Sequence, residues 1–257
     1  MRRILIFIEY DGTHFVGWQF QPNGRTVQNV IEESLEKLFT EKIRIHGSGR
    51  TDAGVHASYQ VAHFDLEHYI DAEKIPQAIN TKLPADVQVN RAIEVDKAFS
   101  ARHDAVMRRY RYYLSDCSTK PIRAASWIVW SPGKRFPETR MHEAAQNWIG
   151  EHDFSAFRPV SCQAKTPIRS ITRIDVERID LELCPGREII RITVEAPSFL
   201  QHQVRTMVGT LMEIGRCSGK VSDAKSVIDS RDRSKAGPTA LPHGLVLDWI
   251  DYGDRLV

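Results

Sequence analysis

Gly47-Ser-Gly-Arg-Thr-Asp-Ala-Gly-Val-His56 sets Arg50 and Asp52 two residues apart in a segment with three glycines. Glycine opens backbone conformations closed to other residues and lets a second stretch of chain approach closely. The segment lacks the Lys-Ser/Thr ending of a phosphate-cradling P-loop, which argues against an NTPase. On residue types alone, an Arg50–Asp52 salt bridge pinning the loop is the plainer reading. A second set lies at 108–113, where Arg108, Arg109 and Arg111 are interleaved with Tyr110, Tyr112 and Tyr113. Two further basic groups, Lys134 with Arg135 and Arg231, Arg233 with Lys235, read individually as solvated faces. The ten histidines form no H-E-x-x-H pattern. His56 and His202 read as supports for a loop and a helix, and Trp18 as packing.

The elements that must position these residues follow from periodicity. Arg3 to Tyr10 predicts a strand ended by Asp11-Gly12. Val27, Val30, Ile31, Leu35 and Leu38 form a helical stripe with Thr26 as its cap. Ile43 and Ile45 alternate with charges in a second strand leading into the glycine loop, and Tyr59 to Phe64 predicts a third. Asp71 is placed to cap a short helix through Ile75, Ile79 and Leu83, with Pro76 tolerated in its first turn. Asp86 to Val95 gives a fourth strand. The order β-α-β-β-α-β is the ferredoxin-like split unit.

A similar run follows. Val106 to Leu114 predicts a strand and Glu138 to Ile149 a helix. Ile171 to Leu183 and Ile189 to Ala196 predict an antiparallel pair around Cys184-Pro185-Gly186. Helices are expected at Leu200 to Arg216 and Asp223 to Asp229, and a last strand at Leu245 to Tyr252. The expected fold class is therefore α+β. Two ferredoxin-like (βαββαβ) units would form an extended mixed, mainly antiparallel sheet, with helices on one side and a catalytic cleft on the other. The expected domains are 1–103 and 104–257.

With 257 residues, 42% of them hydrophobic, the chain has ample material for a core. The early apolar run Leu5 to Ile8 is cut short by Glu9, so neither a secretion signal nor a membrane span is expected. Cys117, Cys162, Cys184 and Cys217 form no C-x-x-C pair. The expectation is reduced thiols in a cytoplasm, with no zinc site. Net charge is only +2, so nucleic-acid binding must rest on local clusters rather than on the total.

Several motifs in order carry a family resemblance. Gly49-Arg50-Thr51-Asp52-Ala53-Gly54-Val55-His56-Ala57 resembles the signature of the TruA family of tRNA pseudouridine synthases. Tyr10-Asp11-Gly12-Thr13, Gly17-Trp18-Gln19 and Arg25-Thr26-Val27-Gln28 resemble the family's opening. Phe99-Ser100-Ala101-Arg102 with Arg109-Tyr110-Arg111-Tyr112 resembles its middle motif. His202-Gln203-Val204-Arg205, Val208-Gly209, Ala236 to Ala240 and Gly244-Leu245 resemble the late ones. Gln203 and Leu241-Pro242-His243 depart from the usual pattern without removing a catalytic group.

The resemblance implies an isomerase of uridine in the tRNA anticodon arm, at positions 38, 39 and 40, with no cofactor and no metal. It implies Asp52 as the catalytic carboxylate and Arg50 as the residue that takes the space of the flipped base. Tyr110 would stack on the uracil. The chemistry asks for a fixed arginine to hold the charge of Asp52, with Arg205 as the candidate, and Leu245 reads either as packing on the other face of the base or as a core leucine. Two stretches, Phe99 to His103 (Phe99, Ser100, Ala101, Arg102, His103) and Cys162 to Thr166 (Cys162, Gln163, Ala164, Lys165, Thr166), would lie against tRNA. The family's members are homodimers, and a homodimer is expected. A carboxylate with a reference pKa of about 3.9 is ionised at neutral pH, so it can act as nucleophile or base without a histidine to activate it. Two other classes compete. A non-catalytic RNA-binding module would carry aromatic RNP motifs, which are absent. A nucleoside hydrolase would ordinarily place two carboxylates about the scissile bond, and only Asp52 sits in a credible motif.

Overall fold

β-Branched and aromatic residues dominate Arg2–Tyr10 (β1), and Ile4 to Ile8 are all nearly inaccessible. A computed structural model describes residues 1–133, 135–216 and 222–256; Lys134 and Cys217 lie outside the described residues. After β1 come α1 (Val27–Phe39), β2 (His46–Gly47), β3 (His56–Leu66), α2 (Ile75–Asn80) and β4 (Val87–Val95). β1 pairs antiparallel with both β3 and β4, and β2 pairs antiparallel with β3. The order 4-1-3-2, all antiparallel, is that of the split unit the sequence implied.

The predicted cap is in place. Thr26 lies in extended conformation and its hydroxyl accepts the Asn29 N–H, which relieves one of the orphan donors of the first turn. Val27, Ile31 and Leu35 of α1 are fully buried, a stripe worth about 1.5–3 kcal/mol per side chain. The second predicted strand is nearly lost. Ile43 and Ile45 are buried, but the Ile45 N–H goes to Glu32 Oε1 and its carbonyl accepts from Gln28 Nε2. Side chains of α1 thus hold the backbone that a ladder would otherwise use, and only His46–Gly47 pairs. Asp71 makes no side-chain cap; its carboxylate takes Lys74 Nζ at 2.6 Å instead. The chain there enters α2 through a tighter turn at Ala72–Lys74.

The second run comprises β5 (Met107–Ser115), β6 (Val129–Trp130), α3 (Glu138–Ala145), β7 (Gly150–Asp153), β8 (Ile168–Ile171), β9 (Arg173–Asp180), β10 (Glu188–Ala196), α4 (Gln203–Arg216) and α5 (Ser222–Ser230), with β11 (Leu245–Asp251) last. β10 lies between β5 and β9, antiparallel to each, and β6 adds to β5 in parallel. β7 and β8 form a separate two-stranded sheet that periodicity did not predict, because each strand is only four residues long. α4 begins at Gln203 rather than Leu200. His202 has a left-handed φ of 59°, and the Gln203 side chain accepts the Leu200 N–H.

The chain divides into two units, residues 1–106 with 246–257, and residues 107–245. The expectation of domains 1–103 and 104–257 counts the last strand with the second half. The parallel pairing of Val246 with His56 and Leu247 with Ala57 sets it beside the first. The class is α+β, mixed and mainly antiparallel, as the element order implied. Among the described residues no helix is long and apolar enough to cross a membrane.

Candidate active site

In the first unit, the loop between β2 and β3 is fixed residue by residue. The Ser48 N–H donates to the Val61 carbonyl and its hydroxyl meets Gln60 Oε1 at 2.8 Å. Gln60, fully buried, returns its Nε2 to the Gly49 carbonyl. Thr51 is held on both sides, its hydroxyl 2.8 Å from the Tyr10 hydroxyl and its carbonyl accepting the Trp18 N–H. The Asp52 carbonyl accepts the Val55 N–H, and the Gly54 N–H donates to the Phe15 carbonyl. Gly54 takes a φ of 75°, which a side chain would disfavour. Close approach governs Gly12, where an added Cβ would lie 2.1 Å from the Val55 carbonyl oxygen. The result is a rigid presentation of Asp52, whose residue is half-buried and so not sealed inside the core.

Arg50 is exposed and, among the described residues, forms no ion pair. The plain salt-bridge reading of the loop is therefore overturned. Backbone bonds from Trp18 and Phe15 and the Tyr10 hydroxyl hold the loop instead. His56 closes the loop: its Nδ1 accepts the Gly12 N–H at 3.1 Å and stands 3.2 Å from Asp11 Oδ1. Its buried Nε2 has no hydrogen-bond partner among the described residues. The sequence marked Tyr10 as a motif member and Trp18 as a motif member that packs; neither neighbouring residue types nor spacing disclosed their bonds to Thr51.

The stretch at 99–103 lies in the same unit. Phe99 and Ala101 are buried, Ser100 is half-buried, and Arg102 and His103 are exposed. Ala101 is gripped at both ends of its peptide. Its N–H donates to His63 Nδ1 at 3.1 Å and its carbonyl accepts the Tyr252 hydroxyl at 2.7 Å. Arg3, itself paired with Asp65, donates to the Phe99 carbonyl. Burial, then the charges of Arg3 and His46, lower the His63 pKa to about 4, so it stands neutral as an acceptor.

The second unit carries Tyr110, Arg205 and Leu245. Tyr110 is on β5 opposite Val194, with Phe199 edge-on at 5.3 Å. Next inward, Tyr112 is fully buried and donates to the Leu241 carbonyl; burial drives its hydroxyl's pKa well up. Arg205 projects from the first turn of α4, is half-buried and spends its Nε on the Ala240 carbonyl at 2.8 Å. The Ala240 N–H returns to the Arg205 carbonyl. Gly209 makes this docking possible, since a Cβ there would lie 1.7 Å from the Pro238 oxygen. Leu245 is buried. Among the arginines beside Tyr110, Arg109 is paired with Glu195 at 2.6 Å.

The third stretch, Cys162 to Thr166, is on the loop between β7 and β8. Cys162 and Ala164 are half-buried there, and Gln163, Lys165 and Thr166 exposed. Cys117, Cys162 and Cys184 are free thiols. Among the described residues no three His, Cys, Asp or Glu side chains come together in a way that could hold a metal ion.

A family profile described as tRNA pseudouridine synthase matches residues 6–104 and 144–253, taking in the Asp52 loop, the 99–103 stretch, Arg205 and Leu245. The chain belongs to this family. A tRNA pseudouridine synthase A of Methylobacterium nodulans is 45% identical over 255 residues, covering 98% of this chain and 96% of the relative. One from Myxococcus xanthus is 41% identical over 256 residues, covering 99% and 93%. The family's reaction is an isomerisation, so this synthase is an isomerase that converts uridine to pseudouridine in tRNA.

Proposed function

We propose that the chain converts uridines on the 3′ side of the tRNA anticodon arm, positions 38, 39 and 40, with Asp52 as the catalytic carboxylate. The observation that carries the reading is the half-buried Asp52 in a loop pinned at Thr51, Asp52 and Gly54 by backbone bonds and by Tyr10. A carboxylate held in this way meets its substrate without first being ordered, which is how positioning lowers a barrier.

The reaction breaks the N1–C1′ bond, turns the uracil and joins its C5 to C1′. A proton then leaves C5 and one is gained at N1, so atoms balance without a redox partner. Asp52 either adds to C1′ or removes a proton at C2′; both routes use the ionised form. The target base must first leave its stack, at a cost of a few kcal/mol. Arg50, exposed and unpaired among the described residues, fits the role of filling the vacated space. Tyr110 stacks on the extracted ring, worth about 1–3 kcal/mol, and Leu245 packs against its other face. Arg205, oriented by Ala240, holds the charge of Asp52. Arg102, His103, Gln163, Lys165 and Thr166 are the exposed members of the two RNA-contact stretches. The working form is a homodimer in the cytoplasm.

The decisive measurement is tritium release from tRNA labelled at C5 of uridine. Wild type should release label, whereas Asp52→Ala should fold, bind tRNA and release none. Full release by Asp52→Ala removes the carboxylate from the mechanism. Mapping pseudouridines in tRNA from cells lacking the protein tests the positions, and sedimentation of the purified chain tests the dimer.

A further inference from the structure

From Phe154 to Ile171 the chain holds three cations, Arg158, Lys165 and Arg169, and no carboxylate. Arg158 stands at the start of the loop joining β7 to β8, and Arg169 is the second residue of β8. Both are half-buried, while Val160 at the tip is fully exposed. Several half-buried arginines elsewhere in this chain have acid partners, as Arg3 has Asp65, Arg109 has Glu195 and Arg191 has Glu177, while Arg187 and Arg233 rest on carbonyls and a hydroxyl. Arg158 and Arg169 have only neutral ones. Arg158 Nη1 donates to the Ala164 carbonyl at 3.5 Å, and Arg169 Nη1 to the carbonyls of Thr166 at 3.0 Å and Ile168 at 2.6 Å.

Those bonds curl the loop about the two guanidinium groups and use one nitrogen of each. Among the described residues, no hydrogen bond uses the Nη2 of either arginine, and Arg169 Nε is buried without a partner. The two cations also act on one another. Burial first, then the charge of Arg158, pull the Arg169 pKa below its ordinary value, with Cys162 opposing. Asp153, a carboxylate that feels the charge of Arg158, is held by Arg231 at 3.5 Å and by the Ser155 N–H. Two like charges sharing a loop, with donors to spare and, among the described residues, no acid paired to either, can take up a further anion. A phosphate completes them, since arginine forks match its oxygens.

We propose that Arg158 and Arg169 together grip a phosphodiester of the bound RNA, the loop carbonyls of Ala164, Thr166 and Ile168 holding the two side chains ready for it. The inference rests on the proposed placement of Cys162 to Thr166 against tRNA. It adds the two residues that would carry the affinity of that stretch, and it assigns them to backbone phosphate rather than to base recognition.

Counterion release gives the test. Binding of unmodified tRNA to the full-length protein is measured by filter retention between about 50 and 200 mM salt, where each phosphate contact contributes roughly one unit of log–log slope. Arg158→Gln and Arg169→Gln should each lower the slope by about one, and the double variant by about two. Arg123→Gln, an exposed arginine elsewhere in the same unit, should leave it unchanged. Arg158→Lys and Arg169→Lys keep charge but lose the fork; each should retain most of the slope and weaken binding several-fold. A double Gln variant with the wild-type slope overturns the proposal. So does loss of slope in the Lys variants as large as in the Gln variants, which would make the arginines loop staples. A thermal upshift by inorganic phosphate in wild type but not in the double variant, with the tRNA slope unchanged, would mark a free-phosphate site and also overturn it. Asp52→Ala should bind with the wild-type slope. If wild type released no tritium, the catalytic reading would fail while the slopes still decided the grip.

Discussion

A single hydroxyl pair bears on how the loop presents its carboxylate. Tyr10 and Thr51 meet in a buried setting one residue before Asp52. Tyr10→Phe removes the bond and leaves Thr51 unsatisfied, a cost of about 1 kcal/mol. Because the loop presents the carboxylate, kcat should fall about five- to tenfold while KM for tRNA stays near wild type. A rise in KM with kcat intact would place the bond in binding instead. His63 gives a pH prediction. Its folded pKa lies about 4, below the ordinary 6.5, so between those values the unfolded chain binds the extra proton. Its contribution is complete above pH 6.5 and is lost as pH falls through about 4. His63→Asn keeps an acceptor for Ala101 but does not titrate. The gap in Tm between wild type and this variant should therefore shift against wild type as pH drops from 7 to 4, followed by thermal melts across that range.

Among the elements, α4 depends on a missing side chain. Gly209 faces Pro238 and Gly237 at backbone distance, and this closeness lets Ala240 orient Arg205. Gly209→Ala would gain helix propensity, worth up to about 1 kcal/mol, and would force the helix off the 236–240 segment. Overpacking of this kind costs about 1–3 kcal/mol, so net destabilisation is expected. Activity should fall further than the melting temperature implies, because Arg205 is displaced. Urea unfolding alongside tritium release separates the two effects. α1 shows the opposite relation, in which a strong local pattern kept its helix and also took the backbone of Ile45 from the predicted second strand.

For the molecule as a whole, the last residues do work that their place in the chain conceals. β11 adds to β3 in parallel, the Val106 N–H donates to the Asp251 carbonyl, and Tyr252 reaches Ala101. Removing residues 246–257 uncovers buried Leu247, Ile250 and Tyr252 sites, each worth about 1.5–3 kcal/mol. The truncated chain should lose several kcal/mol and aggregate or fail to melt cooperatively, as circular dichroism would show. Tyr252→Phe is the milder probe. It should lower Tm by a few degrees, through loss of a single buried hydrogen bond.

Local pattern alone determined much of this protein. The buried run of β1, the Thr26 cap and stripe of α1, and the β10 and α4 segments are short-range signals, and the Asp52 loop is a contiguous motif; each survives because no distant contact opposes it. Only the tertiary structure decided where the long-range bonds fall. Tyr10 on Thr51, His63 and Tyr252 on Ala101, β11 on β3 and Arg205 on Ala240 join residues with no shared periodicity, and their energies depend on an approach that spacing along the chain does not encode. The short β7–β8 ladder belongs with them, since four residues carry too few alternations to distinguish a strand from a turn, and pairing across space is what makes them one.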